Sequence, residues 1–357
     1  MISEEEKISK EALWCCVFIT EGVKWLKKRI GVFFIFAMLV AMIACNRMND
    51  NNTTELNDSY NIVERENNDM KAENSSHDIN YVHEHGTGEE EDDTMYNYET
   101  KELTCSRDLM SIYGVAYIPK GNKQAYPTVV IGHGFTGTYR DNLKYAEYLA
   151  KHGIASYSFD FCGGSNGTKS DGKTTEMSVV TETEDMKAVI SLIKQQDFVD
   201  IDNLFLMGES QGGFVAALTA SELKDQIEGL ILLYPAFCIP NNGRKQFGNI
   251  YNISESSMWG VSLGKCYYED VWEMDVNEEI SKYEGNVLIF HGTDDDLVDL
   301  SYSKSAADAY AHAELVVYEN AGHGFYGKQA AEASENMVQF INNTKKGVQN
   351  NEKNKIK

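Results

Sequence analysis

Beyond residue 100 the chain alternates short, almost wholly apolar runs with segments whose apolar positions recur at helical spacing. Residues 110–118, 128–131, 154–159, 204–207, 230–234, 287–290 and 315–318 read as strands. Residues 141–152, 182–196, 211–223, 301–311 and 330–342 read as helices. Thr128-Val129-Val130-Ile131 has the composition of a strand buried on both faces. The helix 141–152 carries Leu143, Ala146, Tyr148 and Leu149 on one side and stops at Gly153, a suitable C-terminal cap. Such alternation predicts an α/β architecture, a mostly parallel sheet with helices on both faces. One stretch breaks the rhythm. Residues 236–284 hold no clear βα unit but do hold Phe237, Tyr251, Trp259, Tyr267, Tyr268 and Trp272, so they read as an insertion covering one edge of the sheet.

Charge is distributed unevenly. The net charge is −23, yet residues 46–100 alone carry fifteen acids against three bases, with eleven Asn and the run Glu89-Glu90-Glu91-Asp92-Asp93. Few large apolar residues accompany that charge, so ordering entropy goes uncompensated and the segment reads as a disordered, self-repelling tether. His83 and His85 within it are too few to make a metal site. An acidic chain is also a poor partner for nucleic acid or an anionic bilayer, which reward positive surface.

Ahead of the tether, Lys24, Lys27, Lys28 and Arg29 precede a fifteen-residue uncharged stretch, 30–44. This is short of the roughly 20 residues of a membrane span and matches the n- and h-regions of a secretory signal. The stretch ends Met42-Ile43-Ala44-Cys45, which resembles a bacterial lipobox. That resemblance implies a lipid on Cys45 and a protein anchored to the outer face of a bacterial cytoplasmic membrane; a secreted or signal-anchored protein is the alternative. The n-region is long, and initiation nearer Val23 would shorten it. Of seven cysteines, Cys105, Cys162, Cys238 and Cys266 fall in the expected globular part, 101–345, without CxxC spacing, so zinc is not expected. Residues 346–357 form a polar tail.

The chemistry sits at strand ends. Between the strand 204–207 and the helix 211–223 stands Gly208-Glu209-Ser210-Gln211-Gly212, G-x-S-x-G in a strand–turn–helix setting. A serine in that turn stands above the sheet at a helix N-terminus, and the Gln211 N–H points where an oxyanion forms. A serine hydroxyl needs a base, and the base an orienting acid. Among eight histidines, His77, His83 and His85 lie in the tether, His152 and His312 at helix ends, and His133 and His291 beside strand ends as loop braces. His323, in the Gly-flanked loop after strand 315–318, is left as the base. The acid comes from the three adjacent aspartates Asp294, Asp295 and Asp296, and the chain order Ser, Asp, His is that of α/β-hydrolases.

Over about 103–340 the chain resembles the α/β-hydrolase superfamily. In it His291-Gly292-Thr293-Asp294-Asp295-Asp296-Leu297-Val298 matches H-G-x-x-D-x-x-V, which implies Asp295 as the acid. Gly132-His133-Gly134-Phe135-Thr136-Gly137 matches the loop supplying the second oxyanion N–H, which implies Phe135 as that donor. This loop, the 165–173 loop and Ser210-Gln211-Gly212-Gly213 are together similar to bacterial cinnamoyl (feruloyl) esterases, whose insertion after the strand beyond the nucleophile covers the active site. Glu209 stands where relatives often have His. The resemblance implies a cofactor-independent serine carboxylesterase acting on a small aryl or cinnamoyl ester. The alternatives are a prolyl-oligopeptidase-like peptidase, although no repeats of blade length precede the catalytic part, and a non-catalytic binding protein on the same scaffold.

Overall fold

The computed structural model describes residues 95–346. The stretch read as an export signal, Cys45, nearly all of the acidic segment and the tail beyond 346 lie outside the described residues. Eight strands form one sheet: β1 (Asn97–Arg107), β2 (Met110–Lys120), β3 (Tyr126–Gly132), β4 (Ala155–Phe159), β5 (Val199–Glu209), β6 (Gly229–Leu233), β9 (Asn286–Gly292) and β10 (His312–Tyr318). Two short strands, β7 (Ser256–Met258) and β8 (Val261–Leu263), make a separate hairpin. The sheet order is β1-β2-β4-β3-β5-β6-β9-β10, antiparallel at β1/β2 and β2/β4 and parallel elsewhere.

Alternate residues of each central strand feed opposite faces, as period-2 geometry requires. Val129, Ile131, Met207, Ile231, Leu233 and Phe290 pack with α1 (Leu143–Lys151) and α8 (Gly327–Thr344). Val130, Leu206, Leu230, Leu232, Val287 and Ile289 pack on the other face with α2 (Val179–Ile193) and α3 (Gln211–Leu223). Helix α2 starts at Ser178, whose hydroxyl accepts from the Thr181 N–H while the Ser178 N–H donates to Thr181 Oγ1. This reciprocal box satisfies two donors that a helix start otherwise leaves unpaired.

Two expectations are corrected. Strand β1 begins at Asn97, inside the stretch read as tether. Its polar alternation hides it, because it is an edge strand with most side chains exposed. The insertion does not cover an edge of the sheet either, since the edges are β1 and β10. It joins the adjacent strands β6 and β9, and its buried Phe237, Ile239, Leu263, Tyr267, Val271 and Trp272 belong to the same core cluster as α2 and α3. Within it lie α4 (Ile239–Phe247), the hairpin, α5 (Cys266–Glu269) and α6 (Val276–Ile280). A last helix, α7 (Leu300–Ala309), links β9 to β10. Cys105, Cys162, Cys238 and Cys266 are free thiols.

Register places the loops that matter together. Gly132 at the end of β3 pairs with Gly208 of β5, Glu209 with Leu233 of β6, and Leu233 with Phe290 of β9. The chain therefore leaves four neighbouring parallel strands at one level, the carboxyl end of the sheet, where open α/β sheets build their sites.

Candidate active site

Ser210 sits at the corner between β5 and α3 with φ 52° and ψ −120°, a conformation that L side chains rarely adopt. Its surroundings enforce it. The Ser210 N–H donates to Leu233 O (2.9 Å), and its carbonyl accepts from Gly213 N–H (3.1 Å) and Ala236 N–H (2.9 Å). Both glycines of the motif are required by crowding. A Cβ on Gly208 would lie 2.1 Å from Gly212 O, and one on Gly212 would lie 2.4 Å from His133 O. The strand-to-helix corner is thus tight enough to lift the hydroxyl clear of the sheet.

His323, in the loop after β10, faces it. Its Nε2 lies 2.9 Å from Ser210 Oγ and its Nδ1 lies 2.8 Å from Asp295 Oδ2. An ionised carboxylate only accepts, so Nδ1 carries the proton and Nε2 is free to take one from the serine. Of the three adjacent aspartates, Asp295 alone turns inward. Its Oδ1 accepts from the N–H groups of Leu297 (3.0 Å) and Val298 (2.9 Å), and its side chain is shielded from solvent. Asp294 and Asp296 are exposed, and Asp294 Oδ1 accepts from its neighbour Thr293. Burial by itself would raise the Asp295 pKa. Hydrogen bonds from His291, His323 and Val298 outweigh it and hold the carboxyl well below the usual range.

His291, read as a loop brace, does more than that. Its Nε2–H donates to Val298 O (2.8 Å) and lies 3.3 Å from Asp295 Oδ2, while Nδ1 accepts from Ser303 Oγ (2.7 Å). Its position four residues before Asp295 was the available signal, but only packing turns that spacing into a contact. The Tyr234 ring lies 4.7 Å from the His323 ring and limits its swing. Tyr234 OH donates to Glu209 Oε2 (2.8 Å), and burial pushes the Glu209 carboxyl above its ordinary pKa.

The loop after β3 lies against the serine, with an ideal Cβ on Gly134 falling 3.3 Å from Ser210 Cβ. The turn closes with Gly137 N–H to Gly134 O (3.0 Å) and holds Thr136 at φ 64°. Fully buried His133 braces it: Nδ1–H donates to Gly134 O (2.8 Å) and Nε2 accepts from Phe161 N–H (3.1 Å). Burial lowers the pKa of this imidazole, so the neutral tautomer is the one held. The Phe135 ring lies 5.7 Å from that of Trp259, tilted against it, and 5.9 Å from that of Tyr267, edge to face, both in the insertion. Gln211 opens α3, where the first N–H groups have no intrahelical carbonyl to bond.

Two cavities meet at Ser210 and His323. One, about 200 Å³, runs under the insertion between Phe135, Ile239, Met258, Trp259, Tyr267 and Val298 and is mainly apolar. The other, about 390 Å³, is bordered by Thr136, Asp141, Lys144, Glu209, Tyr234 and Tyr326 and has a mixed lining, polar and apolar in similar measure. Phe135, Trp259 and Leu297 border both. Among the described residues no cluster of three His, Cys, Asp or Glu side chains could hold a metal ion.

Comparison with known proteins agrees with this architecture. A family model described as serine aminopeptidase, S33, matches residues 123–259, and one described as TAP-like protein matches 255–352. Est1E from Butyrivibrio proteoclasticus, solved with ferulic acid bound, superposes with a TM-score of 0.62 at 28% identity, covering 68% of this chain and 98% of that one. An esterase from Exiguobacterium antarcticum shares the fold at 17% identity and a TM-score of 0.53, covering 68% of this chain and all of its own. In sequence, an uncharacterised 31.7 kDa protein of Escherichia coli from the traX-finO intergenic region is 31% identical over 97 residues. That match spans 27% of this chain and 32% of the relative, about a third of its length. The sheet order, the two family matches and the likeness to Est1E agree: the chain is an α/β-hydrolase that resembles feruloyl esterases.

Proposed function

We propose that the chain is a serine carboxylesterase that cleaves esters of an aromatic, cinnamoyl-type acid through an acyl-enzyme. The observation that carries the reading is the unbroken line Ser210 Oγ, His323 Nε2, His323 Nδ1, Asp295 Oδ2, with 2.9 and 2.8 Å contacts, opening on an aromatic-lined cavity. Ser210 attacks the ester carbonyl as His323 takes its proton, and Asp295 fixes the ring and stabilises the imidazolium. The N–H groups of Phe135 and Gln211 receive the oxyanion, a contribution typically worth about 10²–10³ in kcat per donor. The alcohol leaves with the proton from His323, and water attacks the acyl-enzyme by the reverse route.

The apolar cavity suits the acyl group, because the aromatic residues Phe135, Trp259 and Tyr267 line it and could pack against a planar phenolic acid. The wider cavity of mixed lining, with Lys144 and Glu209 at its border, then receives the alcohol. Ferulic acid bound in Est1E supports this assignment by likeness. Peptide cleavage is a second reading, favoured by the description of the matched family model. A panel of nitrophenyl esters, methyl hydroxycinnamates and aminoacyl anilides separates the two. Turnover of hydroxycinnamates, lost in Ser210→Ala, is expected. Anilide cleavage that outruns every ester would favour the peptidase instead. Lipid attachment at Cys45, and with it anchoring at the cell surface, is part of the same proposal. It is tested by labelled fatty-acid incorporation into wild type and Cys45→Ser, and equal labelling of the two would refute it.

A further inference from the structure

Gln211 has a side chain as well as an amide, and the side chain is tied at both ends. It is buried, with 2% exposure. Its Oε1 accepts from Tyr267 OH (2.8 Å), in the insertion, and its Nε2 donates to Glu182 Oε2 (2.8 Å) on α2. Met177 Sδ, 3.4 Å from Nε2, completes the nest. Glu182 is 1% exposed, and among the described residues no ion pair joins it; its helix neighbour Asp185, by contrast, is paired with Arg107. A buried unpaired carboxyl is costly, and apolar groups of similar volume fill such sites at least as well. Stability alone therefore gives no reason for an acid at 182.

The peptide plane between Ser210 and Gln211 does give one. Its orientation, set by the Ser210 ψ of −120°, decides where the Gln211 N–H points. A residue in so sparsely populated a conformation keeps it only when its surroundings over-determine it. At the carbonyl end of this plane, Ser210 O accepts from the N–H groups of Gly213, Phe214 and Ala236. At the N–H end, the polar anchors of the Gln211 side chain among the described residues are Glu182, Tyr267 and Met177.

We propose that Glu182, acting with Tyr267, is a positioning residue that holds Gln211 so that its backbone N–H faces the oxyanion, thereby making the seating of the insertion a condition for a working oxyanion hole. This rests on the esterase reading above. Burial pushes the Glu182 carboxyl up to about 8, so near neutral pH it is largely protonated and holds the amide without placing an anion beneath the hole.

The test measures kcat and KM on 4-nitrophenyl acetate, whose acyl group is too small to sense the apolar cavity, together with the affinity for an alkyl trifluoromethyl ketone that forms a serine-bound oxyanion. Displacing a donor costs less than the roughly 10²–10³ of losing one. Glu182→Met is therefore expected to lower kcat about 10- to 50-fold, to leave KM within about twofold, and to weaken the ketone in proportion to kcat. Glu182→Gln, which can still accept from Gln211, is expected to recover kcat to within about threefold of wild type, and Tyr267→Phe to lose about 3- to 10-fold with the same split. A folded Glu182→Met with wild-type kcat, a loss confined to KM, or Glu182→Gln as impaired as Glu182→Met overturns the inference. Should Glu182→Met fail to fold, Tyr267→Phe decides, and unchanged kcat and ketone affinity in that variant overturn it. Failure of the esterase reading looks different: a wild type inactive on all esters, or an active Ser210→Ala, which would take this inference down with it.

Discussion

Replacing Glu182 by Gln should stabilise the protein, and more so as the pH rises. The carboxyl has an ordinary pKa of 4.5 in the unfolded chain and about 8 when buried on α2. Burial is the largest cause, partly offset by the Gln211 amide and added to by the nearby charge of Asp185. Below about pH 4.5 both states hold the proton, so the two proteins should differ only by the exchange of one neutral hydrogen-bonding group for another. Above 4.5 the unfolded chain ionises while the folded one does not, and wild-type stability falls with rising pH until the buried group also ionises near 8. The interval from 4.5 to about 8 corresponds to ~5 kcal/mol in full, and to ~3 kcal/mol at pH 7, both order-of-magnitude values. For a domain of this size ~3 kcal/mol is about 10 °C in Tm. The assay is urea denaturation of wild type and Glu182→Gln at half-unit steps from pH 4.5 to 9. Asp185 and Arg107 face the site in both proteins and largely cancel in the difference. A stability gap that stays flat over this range, or narrows as pH rises, would refute the reasoning.

The remaining predictions concern the site itself. Asp295→Asn should cut kcat by about 10³–10⁴, because the amide cannot hold the same His323 tautomer, while Asp294→Asn and Asp296→Asn stay within a few-fold; equal losses in all three on a nitrophenyl ester would remove Asp295 from its role. Gly212→Ala should fail to fold or lose several kcal/mol in denaturant titration, since its Cβ would press to 2.4 Å from His133 O; native stability would contradict the corner geometry. Trp259→Ala should raise KM for hydroxycinnamate esters about tenfold and leave acetate esters almost unchanged, given its position over Phe135 at the junction of both cavities; equal shifts for both substrates would exclude it from acyl recognition.

Much of this molecule is legible in its sequence, and the failures share a cause. The helix Gln211–Leu223 reads to its ends, because its middle is an apolar run and a motif with fixed geometry bounds its start. Strand β1 does not, because an edge strand needs no apolar face and its pattern resembles loop. Strand β5 begins at Val199, earlier than its apolar run, because residues 200–202, half-buried or exposed, interrupt the apolar signal where the pairing with β3 also shifts register, from Tyr126–Val199 to Thr128–Leu204. At the site, Ser210 and His323 are marked by local sequence. Choosing among three adjacent aspartates needs their side-chain directions, and only the resemblance supplied that. Glu182 is the clearest omission. In one dimension it is an acid near a helix N-terminus, an ordinary place for it, and only tertiary packing shows that it faces Gln211 inside the core.

The backbone at Ser210 has a consequence for how such a chain can vary. With φ at 52° and ψ at −120°, the position is one that glycine occupies freely and serine does not. Ser210→Gly should therefore yield a more robust protein, by about 1 kcal/mol, that turns over nothing. At this one position durability and activity pull in opposite directions, so screening variants for thermal tolerance alone would enrich for inert ones.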